Sequence, residues 1–116
     1  MDSFKLEVPA GWRIIGELLN IDPDSLSDEQ LVVLTEDILQ IQTPDSSFVM
    51  DVGWYPDSDR QGRYLCRGVI DNKWDSPTEC FETRDIREVL FWLQRCFNKF
   101  KILNKNLVVG KFNISE

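Results

Sequence analysis

The sequence predicts an α+β fold: an antiparallel sheet of about five or six strands, connected mostly as a meander, with one amphipathic C-terminal helix packed on one face. Two observations support this prediction. Up to residue 83, short segments of alternating apolar and polar residues are separated by Pro, Gly, Asn and Asp. From residue 85 the apolar residues recur at helical spacing instead. At 116 residues we expect one domain, with the sheet over 3–83, the helix over 85–101 and a tail over 102–116.

The first predicted strand is short. Phe4, Leu6 and Val8 alternate with polar residues, and Pro9 then interrupts the pattern. The next apolar segment, 12–21, fits either a strand or a helical stripe. Its aromatic and β-branched start favours a strand.

Turn-forming residues over 20–25 separate this segment from the next one. Ser27-Asp28-Glu29-Gln30 could open a short helix, but the β-branched residues that follow favour mostly extended structure over 31–41. A second turn over 44–47 then separates two strands that we expect to be antiparallel neighbours.

The clearest strand covers residues 48–55, where Phe48, Met50, Val52 and Trp54 fall on one face. A polar loop over 56–62 connects it to a strand over 64–70, which together make a hairpin. Gly62 is free to adopt a positive φ in this loop. A short last strand is predicted over 80–83.

The helix begins with Asp85 as the N-cap and Glu88 three residues later, a variant of the capping box. Apolar residues follow at helical spacing, and basic residues near the C-terminal end suit the helix dipole. At about 100° per residue, Phe91 points away from the apolar stripe and Trp92 lies on its flank. These two aromatic residues could contact the tail or another protein.

Charge is distributed unevenly along the chain. Residues 1–60 contain 13 Asp and Glu against 3 Lys and Arg, a net charge of −10, whereas residues 61–116 carry a net charge of +3. A field of one sign attracts partners of the other sign, so we interpret the acidic half as a binding surface. Nucleic acid is disfavoured as a partner, because its phosphates would meet net negative charge. An acidic surface could instead occupy a basic site built for RNA or DNA.

The start of the chain lacks the basic and apolar regions of a secretory signal, and no apolar run is long enough for a membrane span. We therefore expect a cytoplasmic protein with no membrane partner, and a monomer rather than a dimer. The three cysteines fit neither a disulfide framework nor a metal or redox pair, which favours structural thiols.

Chemistry at a catalytic or metal site is weakly supported. Glu36, Asp37 and Asp51 could form a carboxylate pair of the glycosidase type, but an acidic solvated face is the simpler interpretation. The chain has no histidine, the side chain most often used for proton transfer near neutral pH. The segment 57–62 resembles the start of an EF-hand loop, but Gly68 stands where the bidentate Glu is required. We predict no enzyme, no cofactor and no metal site.

The four tryptophans have different predicted roles, since aromatic residues dominate both cores and binding hot spots. Trp54 belongs to the inner face of its strand, and Trp12 is expected to be buried as well. Trp74 follows a turn and could be a lid on the core or a surface anchor. Trp92 is predicted to contact something outside its own sheet.

Several segments carry a resemblance to a known family. They are Gly11-Trp12, Asn20-Ile21-Asp22-Pro23, Thr35-Glu36-Asp37-Ile38-Leu39-Gln40, Asp51-Val52-Gly53-Trp54-Tyr55-Pro56, Trp74 and Pro77. In these segments the chain resembles small acidic immunity proteins of bacterial toxin systems, in particular those of contact-dependent growth inhibition. The resemblance implies a cytoplasmic protein that binds one cognate toxin domain and blocks its active site or substrate surface. It implies no catalytic residue.

Together, the resemblance and the charge predict an immunity protein that neutralises a cationic toxin domain, with a nuclease as the expected toxin. The candidate toxin-binding residues are Glu36, Asp37, Asp51, Tyr55, Asp57, Asp59, Trp74 and Trp92. Two alternatives remain open. An acidic secretion chaperone would dimerise, with Phe91 and Trp92 as the expected contacts, and a carboxylate enzyme would need a pocket that brings Glu36 or Asp37 close to Asp51.

Overall fold

The computed structural model describes residues 2–103, with side chains described as far as residue 99. The strands are β1 (Arg13–Gly16), β2 (Leu39–Gln42), β3 (Phe48–Tyr55), β4 (Arg63–Ile70) and β5 (Glu79–Thr83), and the helices are α1 (Asp28–Val33) and α2 (Ile86–Leu103), with a short 3-10 helix at Pro23–Ser25. All neighbouring strands are antiparallel, in the order β1-β2-β3-β4-β5. The predicted α+β meander with one main C-terminal helix is confirmed. The predicted tail lies outside the described residues, apart from residues 102 and 103, which belong to α2.

The hairpin β3–β4 is the centre of the sheet. Its eight residue pairs run from Phe48 opposite Ile70 to Tyr55 opposite Arg63, joined by the predicted loop over 56–62. Because side chains alternate between the faces of a strand, the even-numbered residues of β3 all point to one side. There they are at most 2% exposed, so the prediction for this strand is confirmed. We call this side the core face and the opposite side the outer face.

Helix α2 lies on the core face and supplies much of the hydrophobic core. Its buried residues include Val89, Leu93 and Phe97. Phe91 is 70% exposed, as its position on the helix predicts. Trp92, by contrast, is 2% exposed and belongs to the same core cluster as Trp12, which is 7% exposed. The prediction of an externally directed Trp92 is therefore corrected. Residues before the sheet extend the core to the flank of the helix.

None of the helices within residues 2–103 is long and apolar enough to cross a membrane.

The first turn of α2 is capped differently from the prediction. Asp85 is the N-cap, and its Oδ1 accepts a hydrogen bond from the backbone N–H of Arg87 at 2.9 Å. Glu88 does not return to the backbone of Asp85 but accepts a hydrogen bond from the Thr83 hydroxyl at 2.7 Å. The Asp85 N–H donates to Thr83 Oγ1 at 3.0 Å. The last residue of β5 thus completes the cap, which fixes the angle between β5 and α2.

The first forty residues differ most from prediction. The segment 4–8 forms no strand, and near it only Ser3 and Leu19 make an isolated bridge. Within 12–21 only β1 is extended. It ends at Gly16, whose φ is +87° and where any side chain would collide with the carbonyl oxygen of Ile38.

The extended structure predicted over 31–41 is wrong for its first part, which belongs to α1. Ser27 Oγ accepts from the N–H of Gln30, and the Gln30 side chain accepts from the N–H of Ser27, both at 3.1 Å. This capping box satisfies two N–H groups at the helix start. It outweighs the β propensity of Val32 and Val33, which are exposed and gain little from packing.

The loop over 56–62 is anchored on the core by Trp54, whose Nε1–H donates to the carbonyl oxygen of Asp59 at 2.8 Å. The predicted positive φ at Gly62 is not used, and Ser58 adopts one instead, at 52°. Gly62 is needed for space, because a side chain there would collide with the indole of Trp54.

Candidate functional site

The outer face of the sheet carries a row of polar residues set side by side by strand register. Gln40 on β2 lies opposite Asp51 on β3, and Asp51 lies opposite Arg67 on β4. β1 extends the row, because Ile15 lies opposite Gln40. Four strands therefore contribute one neighbouring residue each.

Arg67 organises the aromatic residues of this face. Its Nη2 donates to Asp51 Oδ2 at 3.1 Å and to the Tyr55 hydroxyl at 3.2 Å. Its guanidinium carbon also lies 5.8 Å from the ring centroid of Tyr55 and 5.4 Å from that of Trp74, distances typical of cation–π contacts. We call Asp51, Tyr55, Arg67 and Trp74 the aromatic–arginine cluster.

This cluster is half-buried rather than flat on the surface. Asp51 is 6% exposed, whereas Trp74 is 37% exposed. The Nε–H of Arg67 is buried and has no acceptor within residues 2–103, which costs stability that an optimised structural ion pair would retain. A partly open cluster with an unsatisfied donor is a candidate binding site, because sequences keep such local costs at functional sites.

Two glutamines support the carboxylate of Asp51. Gln40 Nε2 donates to Asp51 Oδ1 at 3.5 Å, and Gln42 Nε2 donates to Gln40 Oε1 at 2.8 Å. Both oxygens of Asp51 therefore accept hydrogen bonds, one from a guanidinium and one from an amide. Such a carboxylate is an acceptor held in place by two donors from neighbouring strands.

Three acidic residues, Glu36, Asp37 and Asp57, border the cluster, and we call them the acidic rim. All three are exposed, and the Glu36 N–H donates to Asp57 Oδ1 at 2.9 Å, which joins the segment after α1 to the loop after β3. Within the part of the chain that the structure describes, none of them pairs with a Lys or Arg.

The pKa of the Tyr55 hydroxyl is affected by nearby acids. Burial raises the pKa of Tyr55, the charge of Arg67 opposes this effect, and the negative charges of Asp51, Glu36 and Asp37 raise the pKa further. The charges of Glu36 and Asp37 therefore act on the aromatic–arginine cluster.

A depression of about 210 Å³ opens beside β1, and we call it the β1 depression. Its lining residues are Ile15, Gly16, Asp37, Ile38, Leu39, Gln40 and Asp51. The carboxylate-enzyme alternative required a pocket that contains Asp37 or Glu36 together with Asp51, and this depression contains Asp37 and Asp51. Because Asp51 is engaged by Arg67 and Gln40, the depression offers one free carboxylate rather than an acid and base pair.

Of the predicted binding residues, Asp51, Tyr55 and Trp74 meet in the cluster, with Glu36, Asp37 and Asp57 beside it. Asp51 is buried, so it positions Arg67 instead of facing solvent.

The remaining two predicted residues serve the fold. Asp59 Oδ1 accepts from the N–H of Gln61 at 2.8 Å, a contact that shapes its own loop. Trp92 lies in the core on the other side of the sheet.

Arg67, Gln40 and Ile15 were not among the predicted site residues. The hairpin loop over 56–62 fixes the register, and counting back from it places Arg67 opposite Asp51, so this contact was accessible from the sequence. The predicted turn over 44–47 places Gln40 opposite Asp51 in the same way. Ile15 depends on the pairing of β1 with β2, which no local pattern specifies.

Two of the three thiols, Cys66 and Cys96, are buried. Burial raises the pKa of Cys66 and of Cys96 to about 12, so both remain protonated near neutral pH. Cys80 is exposed on β5. Residues 2–103 contain no group of three or more Cys, Asp or Glu side chains arranged to hold a metal ion.

No protein-family model, curated protein sequence or solved structure matches this chain. The functional interpretation therefore depends on the chemistry of the aromatic–arginine cluster and the acidic rim.

Proposed function

We propose that this protein is a non-enzymatic immunity protein that binds a cationic toxin domain, with a nuclease as the expected type, and covers its active site or substrate surface. The observation that carries this proposal is the pairing of a preorganised aromatic–arginine cluster with an acidic rim that has no ion-pair partner in the described residues.

The cluster supplies the anchoring groups. Trp, Tyr and Arg are the residues that most often dominate binding energy, and they do so when packed in a partly enclosed setting. Arg67 is already held by Asp51 and Tyr55, so docking would immobilise little additional side-chain freedom. Trp74, with more than a third of its surface open, is the anchor that a partner can cover.

The acidic rim supplies attraction over distance. A net charge of −7, concentrated in the first half of the chain, suits a partner whose cleft is built to hold phosphates. Complementary charge can raise association rates to about 10⁸–10⁹ M⁻¹s⁻¹ at low salt. Fast capture is useful to a protein that must neutralise a toxin before it acts.

We assign no bond-making chemistry to the protein. Asp51 is occupied by its hydrogen-bond donors, and the buried thiols hold their protons. An inhibitor that only covers the toxin's active site needs neither the carboxylate nor the thiols as reacting groups.

The test is isothermal titration against the toxin domain encoded beside this protein. We expect one-to-one binding in the nanomolar range, weakened at least about 30-fold by Trp74→Ala, as for a hot-spot residue. Phe91→Ala removes an exposed aromatic residue from α2 and should leave the affinity unchanged. No binding at micromolar concentration would refute the proposal.

A secretion chaperone is a second candidate, because Phe91 is 70% exposed on α2, as a dimer contact would require. Light scattering of the isolated protein distinguishes the two functions. A dimer that Phe91→Ala dissociates would favour the chaperone, and a monomer would favour the immunity protein.

A further inference from the structure

We propose, on the premise of the function above, that the β1 depression receives one arginine or lysine side chain of the toxin. The aliphatic stem of that side chain would lie on Ile15 and Ile38, and its charged head would reach Asp37. The aromatic–arginine cluster would then be the anchor and the β1 depression a neighbouring pocket for a single cationic side chain.

The volume of the depression limits what it can hold. Small-molecule sites commonly occupy about 300–1,000 Å³, whereas this depression measures about 210 Å³. That volume suits one side chain from a larger partner better than a free metabolite.

One wall of the depression is apolar and open. Ile15 is 48% exposed on an edge strand, which is a large apolar surface for a side chain with no structural role in the core. Ile38 is half-buried beside it. Lysine and arginine place their methylene stems along such surfaces while keeping the charged head free.

The lining also contains acidic residues, and one carboxylate among them is free. Asp51 already accepts from Arg67, and the oxygen of the Gln40 side chain accepts from Gln42. Asp37 is exposed and has no ion-pair partner in the described ranges, so its carboxylate is the open acceptor. An apolar wall that leads to a free carboxylate matches a cation on an aliphatic stem.

The test uses a small probe and needs no toxin. ¹⁵N-labelled protein is titrated with Nα-acetyl-arginine amide, with Nα-acetyl-lysine amide, and with the neutral isostere Nα-acetyl-citrulline amide at matched ionic strength. We expect the amide signals of Ile15, Gly16, Ile38 and Gln40 to shift and saturate with a Kd on the order of 1–10 mM for a cationic probe. The citrulline probe should give no saturable shift, and the two cationic arms identify the preferred head group.

Two variants test the walls separately. Asp37→Asn should weaken probe binding about two- to fivefold, and Ile15→Thr, which retains β-branching, should weaken it about threefold. Asp71→Asn is the matched control, since it removes an exposed acid from the β4–β5 turn and Asn tolerates the positive φ found there. Circular dichroism establishes that each variant is folded.

Shifts that remain linear with probe concentration, or that Asp37→Asn leaves unchanged, would refute the depression as a cation pocket. That failure is distinguishable from failure of the proposed function. Tight toxin binding without probe binding refutes the pocket alone. Probe binding without toxin binding refutes the immunity function, and with it the toxin as the occupant, but leaves a pocket for a cationic side chain.

Discussion

Arg67 connects Asp51, Tyr55 and Trp74 on the outer face, and these contacts determine how each of them behaves. Replacing a buried ion pair by apolar groups is often neutral, but removing one partner leaves an uncompensated charge. Asp51, with 8% of its side chain exposed, would be left in that state if Arg67 were lost. Replacing one member of the Asp51–Arg67 ion pair should therefore destabilise the protein more than replacing both members together.

We expect Arg67→Met to lower the free energy of unfolding by about 2–4 kcal/mol, because it leaves the Asp51 carboxylate buried and unpaired. Adding Asp51→Asn should restore at least about 1 kcal/mol, since the uncompensated charge is gone. The control is Arg63→Met on the same strand, whose ion pair with Glu82 is about half exposed on both sides and is worth less than about 1 kcal/mol. Urea unfolding measures all three, and equal losses for the two arginines would contradict the buried role of Arg67.

The buried thiols predict a loss of stability at alkaline pH. Cys66 and Cys96 have a folded pKa of about 12 against 9.0 for a free thiol, so above pH 9 the unfolded chain releases protons that the folded chain retains. At pH 10 each thiol should lower the free energy of unfolding by roughly 1 kcal/mol relative to neutral pH. Urea unfolding between pH 7 and 10 checks this. Cys96→Ala should lower the free energy of unfolding at pH 7 but remove about half of the loss that the thiols cause between pH 7 and 10. An unchanged pH dependence in this variant would contradict the prediction.

At the scale of the elements, local patterns predicted β3, β4 and α2 because their apolar periodicity and the loop between the two strands determine them without distant contacts. The segments before residue 42 were harder. β1 pairs with β2 more than twenty residues away, and the bridge from Ser3 to Leu19 depends on how the chain returns across the core. At α1 two local signals conflicted, and the capping box prevailed over β propensity.

In the candidate site, too, some features follow from local sequence and others depend on distant contacts. Asp51, Tyr55 and Trp74 were identified by residue type, and the position of Arg67 follows from the hairpin register. The β1 depression could not be predicted, since it requires β1 and the segment after α1 to meet. Trp92 was misplaced because helical geometry alone does not show how far the core extends around α2.

Helix α1 gives a test that separates helix from strand at residues 28–33. Val32 is 68% exposed, so Val32→Ala should raise the free energy of unfolding by about 0.5 kcal/mol if the segment is helical, since Ala is the better helix former. Ser27→Ala should lower it by about 1 kcal/mol by removing the cap. Urea unfolding measures both, and a loss of stability on Val32→Ala would indicate that extended structure is preferred there.

The whole molecule carries its negative charge unevenly. Among the side chains that the structure describes, two ion pairs, Asp24 with Arg84 and Asp51 with Arg67, join the acidic and basic halves of the chain. In the described residues, most acids of the first half have no such partner, and three of them form the acidic rim. Within the described part of the chain, the rim therefore places three unpaired acids beside the anchor residues.

Under the proposed function, the acidic rim should control how fast the toxin domain binds, and Trp74 should control how long it stays bound. Charges at the edge of an interface act mainly on the association rate, and buried anchors act mainly on the dissociation rate. We expect Glu36→Gln with Asp57→Asn to slow association about three- to tenfold at low salt with little change in the dissociation rate. Trp74→Ala should instead speed dissociation with little change in the association rate. Asp37 is left unchanged in this pair, since it is assigned a direct contact.

Stopped-flow fluorescence with the toxin domain, at low salt and again at about 0.15 M, measures both rates. The rim effect should shrink at the higher salt, because charges more than about 8 Å apart are then screened. The matched control, Glu7→Gln with Glu29→Gln, removes the same charge from exposed acids outside the rim. If that control slows association as much as the rim pair does, attraction is a property of net charge alone, and the outer face has no special role in docking.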